Sequence, residues 1–143
     1  MPIDINYKCS DDDVTYRISL NYPNKPNDQD SISFIEYEKH GEEPKIEKVK
    51  TSPNERRKGH ALYLMYRLSS ITNNKDEKSL IKTGHITGDG SENFYTKLGF
   101  KLVDTEQPGN FKTGTVTSAI LKENSFKLLL EKGYSKQFSV KDV

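Results

Sequence analysis

The chain has 143 residues, 32% hydrophobic and 30% charged, and its 22 Lys and Arg against 21 Asp and Glu give a formal net charge of +1. That length suits a single domain with a modest core, so residues 1–143 are read as one unit. The near-neutral balance argues against nucleic acid or an acidic membrane as partner, and no apolar run approaches the ~20 residues of a bilayer-spanning helix.

The N-terminal residues MPIDINYKCSDDD lack a basic segment followed by an apolar one, so no cleavable leader is expected. Cys9 is the single cysteine and has no internal partner. An ordinary semi-buried thiol in a reducing compartment is the expectation, either cytoplasmic or in an effector delivered without a cleavable signal.

Residues 3–8 alternate Ile3, Ile5 and Tyr7 with polar residues and predict a first strand. Asp11, Asp12 and Asp13 read as a solvated turn; three carboxylates can bind a cation, but no wider ligand pattern accompanies them. Residues 14–22 place Val14, Tyr16, Ile18, Leu20 and Tyr22 on one face and Thr15, Arg17, Ser19 and Asn21 on the other. Two prolines among Asn and Asp make residues 21–30 a loop. Residues 31–38 predict a strand closed by a turn over 40–44.

The next strand, 45–51, carries a break in parity. Ile46 and Val49 lie an odd number of residues apart, so a regular strand sends them to opposite faces. A β-bulge near Glu47 and Lys48 reconciles them, and a central strand buried on both sides does so equally well. After a turn at Pro53 and Asn54 comes the basic loop Arg56-Arg57-Lys58-Gly59-His60-Ala61. It runs into a helix whose core stripe is Ala61, Leu64, Met65, Leu68 and Ile71, ending near residues 73–75.

Residues 79–87 predict another strand. Gly88 to Ser91 break the chain and offer Asp89 or Ser91 as N-cap for a short helix over 92–98, stopped by Gly99. Strands follow at 100–104 and 113–121, separated by a loop at 107–110. A helix over 125–132 closes at Gly133, and no internal repeat is present. The order is that of a single-domain mixed α/β sheet with a candidate ligand loop beside a central strand.

That loop has the makings of an anion site. First-turn amides of a helix have no intrahelical acceptor, and the helix dipole adds partial positive charge there. Gly59 and Ala61 let a phosphate approach the backbone, and Arg forks at Arg56 and Arg57 match phosphate oxygens. A solvated basic turn and a small nucleic-acid patch are the competing readings.

The run Arg56-x-x-Gly59-x-Ala61, three residues after Pro53, resembles the cofactor loop of the GNAT superfamily of N-acetyltransferases, whose signature is Gln/Arg-x-x-Gly-x-Gly/Ala. Downstream, Phe94-Tyr95-Thr96-Lys97-Leu98-Gly99-Phe100 resembles the FYxxLGF segment of the same superfamily. Both fall in the expected order with a predicted strand between them. The resemblance implies a GNAT-type mixed sheet and acetyl-CoA as cosubstrate, its pyrophosphate held by backbone amides from Arg57 through Lys58, Gly59 and His60 to Ala61. Arg57 or Lys58 would reach the 3′-phosphate, and the His60 side chain is a bystander. A bulge would splay the strand so that backbone groups of Val49 and Thr51 pair with the pantetheine arm.

Two departures from the family accompany these matches. The usual pair of helices between the first two strands has no room within residues 10–13, which implies an open acceptor groove unless the extra C-terminal helix walls it. Gly88, with Asp89 beside it, stands where many relatives carry Asn.

Acetyl transfer to an amine needs a neutral nucleophile and a protonated leaving thiolate. With a pKa near ~10.4, only about one free lysine in a few thousand is neutral at pH 7. Glu47 is the candidate base, with Glu43 as rival, and an exposed strand glutamate is the plain alternative. Tyr95 matches the family's tyrosine acid; packing beside Phe94 and Leu98 is its plain alternative. The Val49 amide is a candidate oxyanion donor. These readings lead to direct N-acetylation of a primary amine, most readily a protein lysine or N-terminus, then a polyamine or amino sugar. The alternative is a non-catalytic CoA-binding module that senses CoA or holds a partner; membranes and nucleic acid rank low.

Overall fold

A computed structural model describes residues 3–11, 13–22, 31–40, 43–52, 59–72, 80–84, 86, 91–104 and 112–133. Alternating apolar residues build the strands β1 (Asp4–Cys9), β2 (Thr15–Asn21), β3 (Ser33–His40), β4 (Glu43–Thr51), β5 (Leu80–Thr83), β6 (Lys101–Asp104) and β7 (Lys112–Thr117). They form one seven-stranded sheet in the order β1-β2-β3-β4-β5-β7-β6. Among the described strands every pairing is antiparallel except β4 with β5. The connection between that parallel pair carries α1 (His60–Thr72); α2 (Ser91–Lys97) lies between β5 and β6, and α3 (Ser118–Glu131) follows β7.

The period of two gives the sheet an inner and an outer face. Tyr16, Ile18 and Leu20 of β2 sit opposite Tyr37, Ile35 and Ser33 of β3, and this inner set continues through Ile46, Ile81 and Val116. It forms one core with Leu64, Met65, Leu68, Tyr95, Leu98, Leu121 and Leu129 of the helices. The outer face carries Arg17, Glu36, Lys48, Lys50, Lys82, Thr115 and Lys101. No described helix covers it. Residues 10–14 leave no helix between β1 and β2, as the sequence implied.

Helix α1 lies over β2, β3 and β4 and packs along α3, with Tyr66 and Phe126 in ring contact at 5.8 Å between centroids. This pairing explains a correction. Leu64, Met65 and Leu68 are buried as expected, but Ile71 is 38% exposed, while Leu62, Tyr63 and Tyr66 are buried as well. A helix with the sheet on one side and a second helix on another buries more than a single stripe. Two of its buried hydroxyls bond within the helix: Ser69 Oγ donates to Tyr66 O at 2.6 Å and Thr72 Oγ1 to Leu68 O at 2.7 Å.

The C-terminal boundary also moves. A strand over 113–121 was expected, but β7 ends at Thr117 and α3 begins at Ser118. Thr117 keeps an extended backbone while its side-chain oxygen accepts from Ile120 N at 3.3 Å, an N-cap. Leu121, Ser125 and Leu129 then fall at i, i+4 and i+8 as a buried stripe. Ser125 concealed that periodicity; its hydroxyl donates to Leu121 O at 2.6 Å, so the polar position is buried without an unmet donor.

Other boundaries shift by a few residues. β5 stops at Thr83 rather than 87, and Ile86 makes an isolated bridge to Lys112. β3 runs to His40 and β4 starts at Glu43, so both strands extend into the stretch over 40–44 that was expected as a turn. Ser19 and Asn21 lie on the face opposite Ile18 and Leu20, as alternation predicts, and they too are buried, sharing hydrogen bonds with Asn6 and Ser31. Cys9 is exposed rather than semi-buried, with Sγ 3.4 Å from Asp13 Oδ1.

Replacing the fully buried Leu129 should cost the most here: Leu129→Ala is expected to lose ~2–5 kcal/mol and Thr117→Ala about 1 kcal/mol in urea denaturation. Burial, reinforced for Tyr37 by nearby Tyr16, Tyr7 and Cys9, pushes the Tyr37 and Tyr95 hydroxyls up from 10.0 to about 12. Raised folded pKa values give stability that is complete below pH ~10 and lost as pH climbs towards ~12. Denaturation midpoints should therefore fall across that window, and less steeply in Tyr95→Phe or Tyr37→Phe.

Candidate active site

The site is built on the place where β4 and β5 part. Their register is Lys45 with Lys82 and Ile46 with Thr83, followed by Gly84 N donating to Ile46 O at 2.7 Å. Beyond that point β4 continues to Thr51 while β5 has ended. On its other edge β4 follows β3 with a register shift: Tyr37 faces Ile46 but Glu36 faces Lys48, which leaves Glu47 as the extra residue of a β-bulge. The parity break at Ile46 and Val49 thus resolves as a bulge, and both side chains share the inner face.

The bulge also redirects the backbone. Ser52 N donates to Ile32 O at 2.9 Å and Lys50 O accepts from Ser33 Oγ at 3.0 Å, so residues 50 and 52 turn towards β3. By alternation Val49 and Thr51 direct their peptide groups away from β3, towards the side where the described pairing with β5 has ended. In a strand without the bulge, Ile46 would share that direction with Lys48 and Lys50 instead.

Glu47 projects on the outer face at the vertex of the fork. Its Oε1 is 3.4 Å from Lys45 Nζ. A Cβ added at Gly84 would lie 3.2 Å from Glu47 Oε2 and 3.3 Å from Ile46 O, so the glycine leaves the carboxylate its space. Gly84 falls inside the strand that the sequence predicts over 79–87. A glycine within a strand pattern marks close backbone approach, and that signal was available. The rival carboxylate, Glu43, is paired with Lys82 at 2.9 Å near the start of β4.

Past Thr51, the chain re-enters the described region at Gly59, whose φ of +89° lies where a side chain would be strained. Its carbonyl accepts from Tyr63 N at 3.0 Å, the first bond of α1. The amides of Ala61 and Leu62 follow in the first turn, where no intrahelical acceptor exists. No acidic side chain occupies that turn. His60 is 2% exposed, its side chain packed into the protein. Pro53, Arg56, Arg57 and Lys58 lie outside the described residues, as do Gly88 and Asp89.

Tyr95 sits on α2, on the helix-covered face. Its ring meets Phe94 and Phe100 edge-on, at 5.4 and 5.2 Å between centroids, and belongs to the same core as Ile81 and Val116. Burial pushes its hydroxyl up to about 12, so the phenol is protonated throughout the neutral range. The helix ends at Gly99, φ +97°, and Asn124 Nδ2 of α3 caps Leu98 O at 3.0 Å. Ion pairing of Glu92 with Lys112 at 3.4 Å ties the start of α2 to β7.

No family model matches the sequence, and no curated protein matches it in sequence. Solved structures do match in shape. A GNAT-family acetyltransferase from Desulfovibrio desulfuricans aligns with a TM-score of 0.57 at 13% identity, over 74% of this chain and 71% of that one. The PaiA N-acetyltransferase from Thermoplasma acidophilum, in complex with coenzyme A, aligns with a TM-score of 0.57 at 19% identity, over 73% of this chain and 61% of that one. Spermidine N-acetyltransferase from Vibrio cholerae, in complex with CoA and spermine, gives 0.58 at 14% identity, over 78% and 70%. With a strand order that reverses only at the last pair, one parallel contact at a splayed fork and a glycine-led helix beyond it, the chain has the fold of the GNAT superfamily of N-acetyltransferases.

Proposed function

We propose that the protein is an acetyl-CoA-dependent N-acetyltransferase that passes the acetyl group directly to a primary amine, with a protein lysine or N-terminus as acceptor. The observation that carries this reading is the fork: the described strand pairing ends at Gly84 while the bulge at Glu47 turns the peptide groups of Val49 and Thr51 away from β3, towards the side where that pairing has ended. Extended chains pair with backbone groups aimed in this way, as an added strand would. Coenzyme A in two of the similar structures supports the choice of ligand.

In this reading the amides from Arg57 to Ala61 hold the pyrophosphate, and the Val49 and Thr51 backbone groups hold the pantetheine arm. The Val49 N–H donates to the oxygen on which charge develops. Glu47, at the vertex and reachable from the outer face, removes a proton from the amine, directly or through water. Tyr95 donates its hydroxyl hydrogen to the departing thiolate. A phenol pushed to about 12 is a weak acid towards a thiolate of pKa near ~8.5, so the proton moves only as the C–S bond breaks.

Three results are expected. Tyr95→Phe should lower kcat ~10²-fold or more while the thermal shift with CoA is retained; full turnover in this variant would remove Tyr95 from the chemistry. Glu47→Gln should lower kcat by ~10²- to 10⁴-fold at pH 7. Raising the pH, which frees the amine without help, should recover part of that loss, and a pH-independent defect would point to another base. Wild-type protein showing no thermal shift at millimolar CoA, and no acetyl group added to any amine by mass spectrometry, would remove the reading itself.

A further inference from the structure

The outer face beside the fork has a charge pattern that the acetyl-transfer chemistry does not require. Lys45 and Lys82 stand directly opposite each other across β4 and β5, and each has a carboxylate partner: Glu47 for Lys45 at 3.4 Å and Glu43 for Lys82 at 2.9 Å. Glu36 is taken by Arg17, at 2.9 Å, and the Arg17 guanidinium also lies 3.8 Å over the Phe34 ring. The remaining cations of this region are Lys48, Lys50 and Lys101. All three are exposed, and none has an ion-pair partner among the described residues.

Lys48 and Lys50 are the informative pair. They follow Glu47 directly on β4, on the outer face, where the strand borders the gap left by β5. Residues two apart on a strand stand about 6.8 Å from each other, the same spacing as alternate side chains of an extended peptide. Glu36 faces Lys48 across the β3–β4 pair but is spent on Arg17, and Phe34 faces Lys50. The fork is thus flanked by two lysines in strand register that have no carboxylate partner among the described residues, Lys48 Nζ lying 5.7 Å over the Phe34 ring.

We propose that this face docks the acceptor as an extended acidic polypeptide segment, its alternate carboxylates meeting Lys48 and Lys50 while its amine reaches Glu47. The inference rests on the acetyltransferase reading and names the class of acceptor for that same site. A polyamine fits poorly, because a polycation would approach Lys48, Lys50 and Lys101 against like charge. A nucleic acid fits poorly too: the Phe34 ring is already covered by Arg17, and Glu43 and Glu47 would repel phosphates.

The test compares three acceptors: a peptide with one lysine flanked by Asp and Glu at alternate positions, the same peptide with Ser at those positions, and spermidine. Acetylation is followed by mass spectrometry, peptide binding by fluorescence anisotropy at low and high salt. The acidic peptide should exceed the Ser peptide by about tenfold in kcat/KM and bind in a salt-sensitive manner. The double variant Lys48→Glu with Lys50→Glu should lose that preference while its thermal shift with CoA matches the wild type, which shows a folded protein. Equal use of both peptides, faster turnover of spermidine, or a preference that survives the double variant would overturn the proposal and leave acetyl transfer standing. If no acceptor is acetylated, the enzymatic reading fails and anisotropy decides the surface. Salt-sensitive binding that the double variant abolishes supports docking; no binding overturns it.

Discussion

One extra residue in one strand governs the rest of the molecule. With Glu47 inserted between the partners of Tyr37 and Glu36, β4 keeps Ile46 and Val49 on the core face and at the same time reverses which peptide groups look towards β5. A strand without the bulge would have to give up one of these: either Val49 leaves the core, or the pairing edge beyond Ile46 stays in phase with β5. The bulge also adds local twist, and twist is what allows two parallel strands to separate after two paired positions. Gly84 completes the vertex because any side chain there would meet Glu47 and the Ile46 carbonyl.

The helices follow from the same arrangement. A parallel pair needs a crossover, and α1 supplies it, packing over β2, β3 and β4. α3 packs along α1 and covers Tyr66 with Phe126, capped at its start by Thr117 and closed against α2 through Asn124. All described helices therefore share one face with Tyr95, whereas Glu47 and its neighbouring lysines occupy the other. The two candidate chemical groups thus lie on opposite faces of the sheet.

Electrostatics divides along the same line. On the inner side, burial raises the hydroxyls of Tyr37, Tyr63 and Tyr95, since an anion there would lose its hydration. On the outer side, charges are exposed or partly exposed and pair both across strands, as Arg17 with Glu36 and Lys82 with Glu43, and along one, as Lys45 with Glu47, each pair of small worth to stability. Their pattern bears on recognition more than on folding: like-charged Lys45 and Lys82 face each other only because Glu43 and Glu47 stand beside them.

Most of the fold was legible because its signals are local. Alternation placed the strands within a few residues, the break in parity at Ile46 and Val49 pointed to the bulge, and the two short motifs marked the start of α1 and the whole of α2. The helix after β7 was misplaced because Ser118 and Ser125 interrupt its apolar stripe, and Ser125 is buried with its hydroxyl bonding back to the helix itself. Alternation gave the face of Ser19 and Asn21 but not their burial, which depends on partners, here Asn6 and Ser31, far along the chain.

By itself the sequence determined the order and type of the elements, the missing helices after β1 and the residues from which a site could be assembled, since periodicity, turn chemistry and motif spacing act over a few neighbours. Only the tertiary structure decided that the bulge coincides with the end of β5 pairing, that Gly84 abuts Glu47, that α3 lies along α1 and that Lys48 and Lys50 have no carboxylate partner among the described residues. These depend on which strands become neighbours and in what register, and contacts between residues dozens of positions apart leave no periodic trace in the chain.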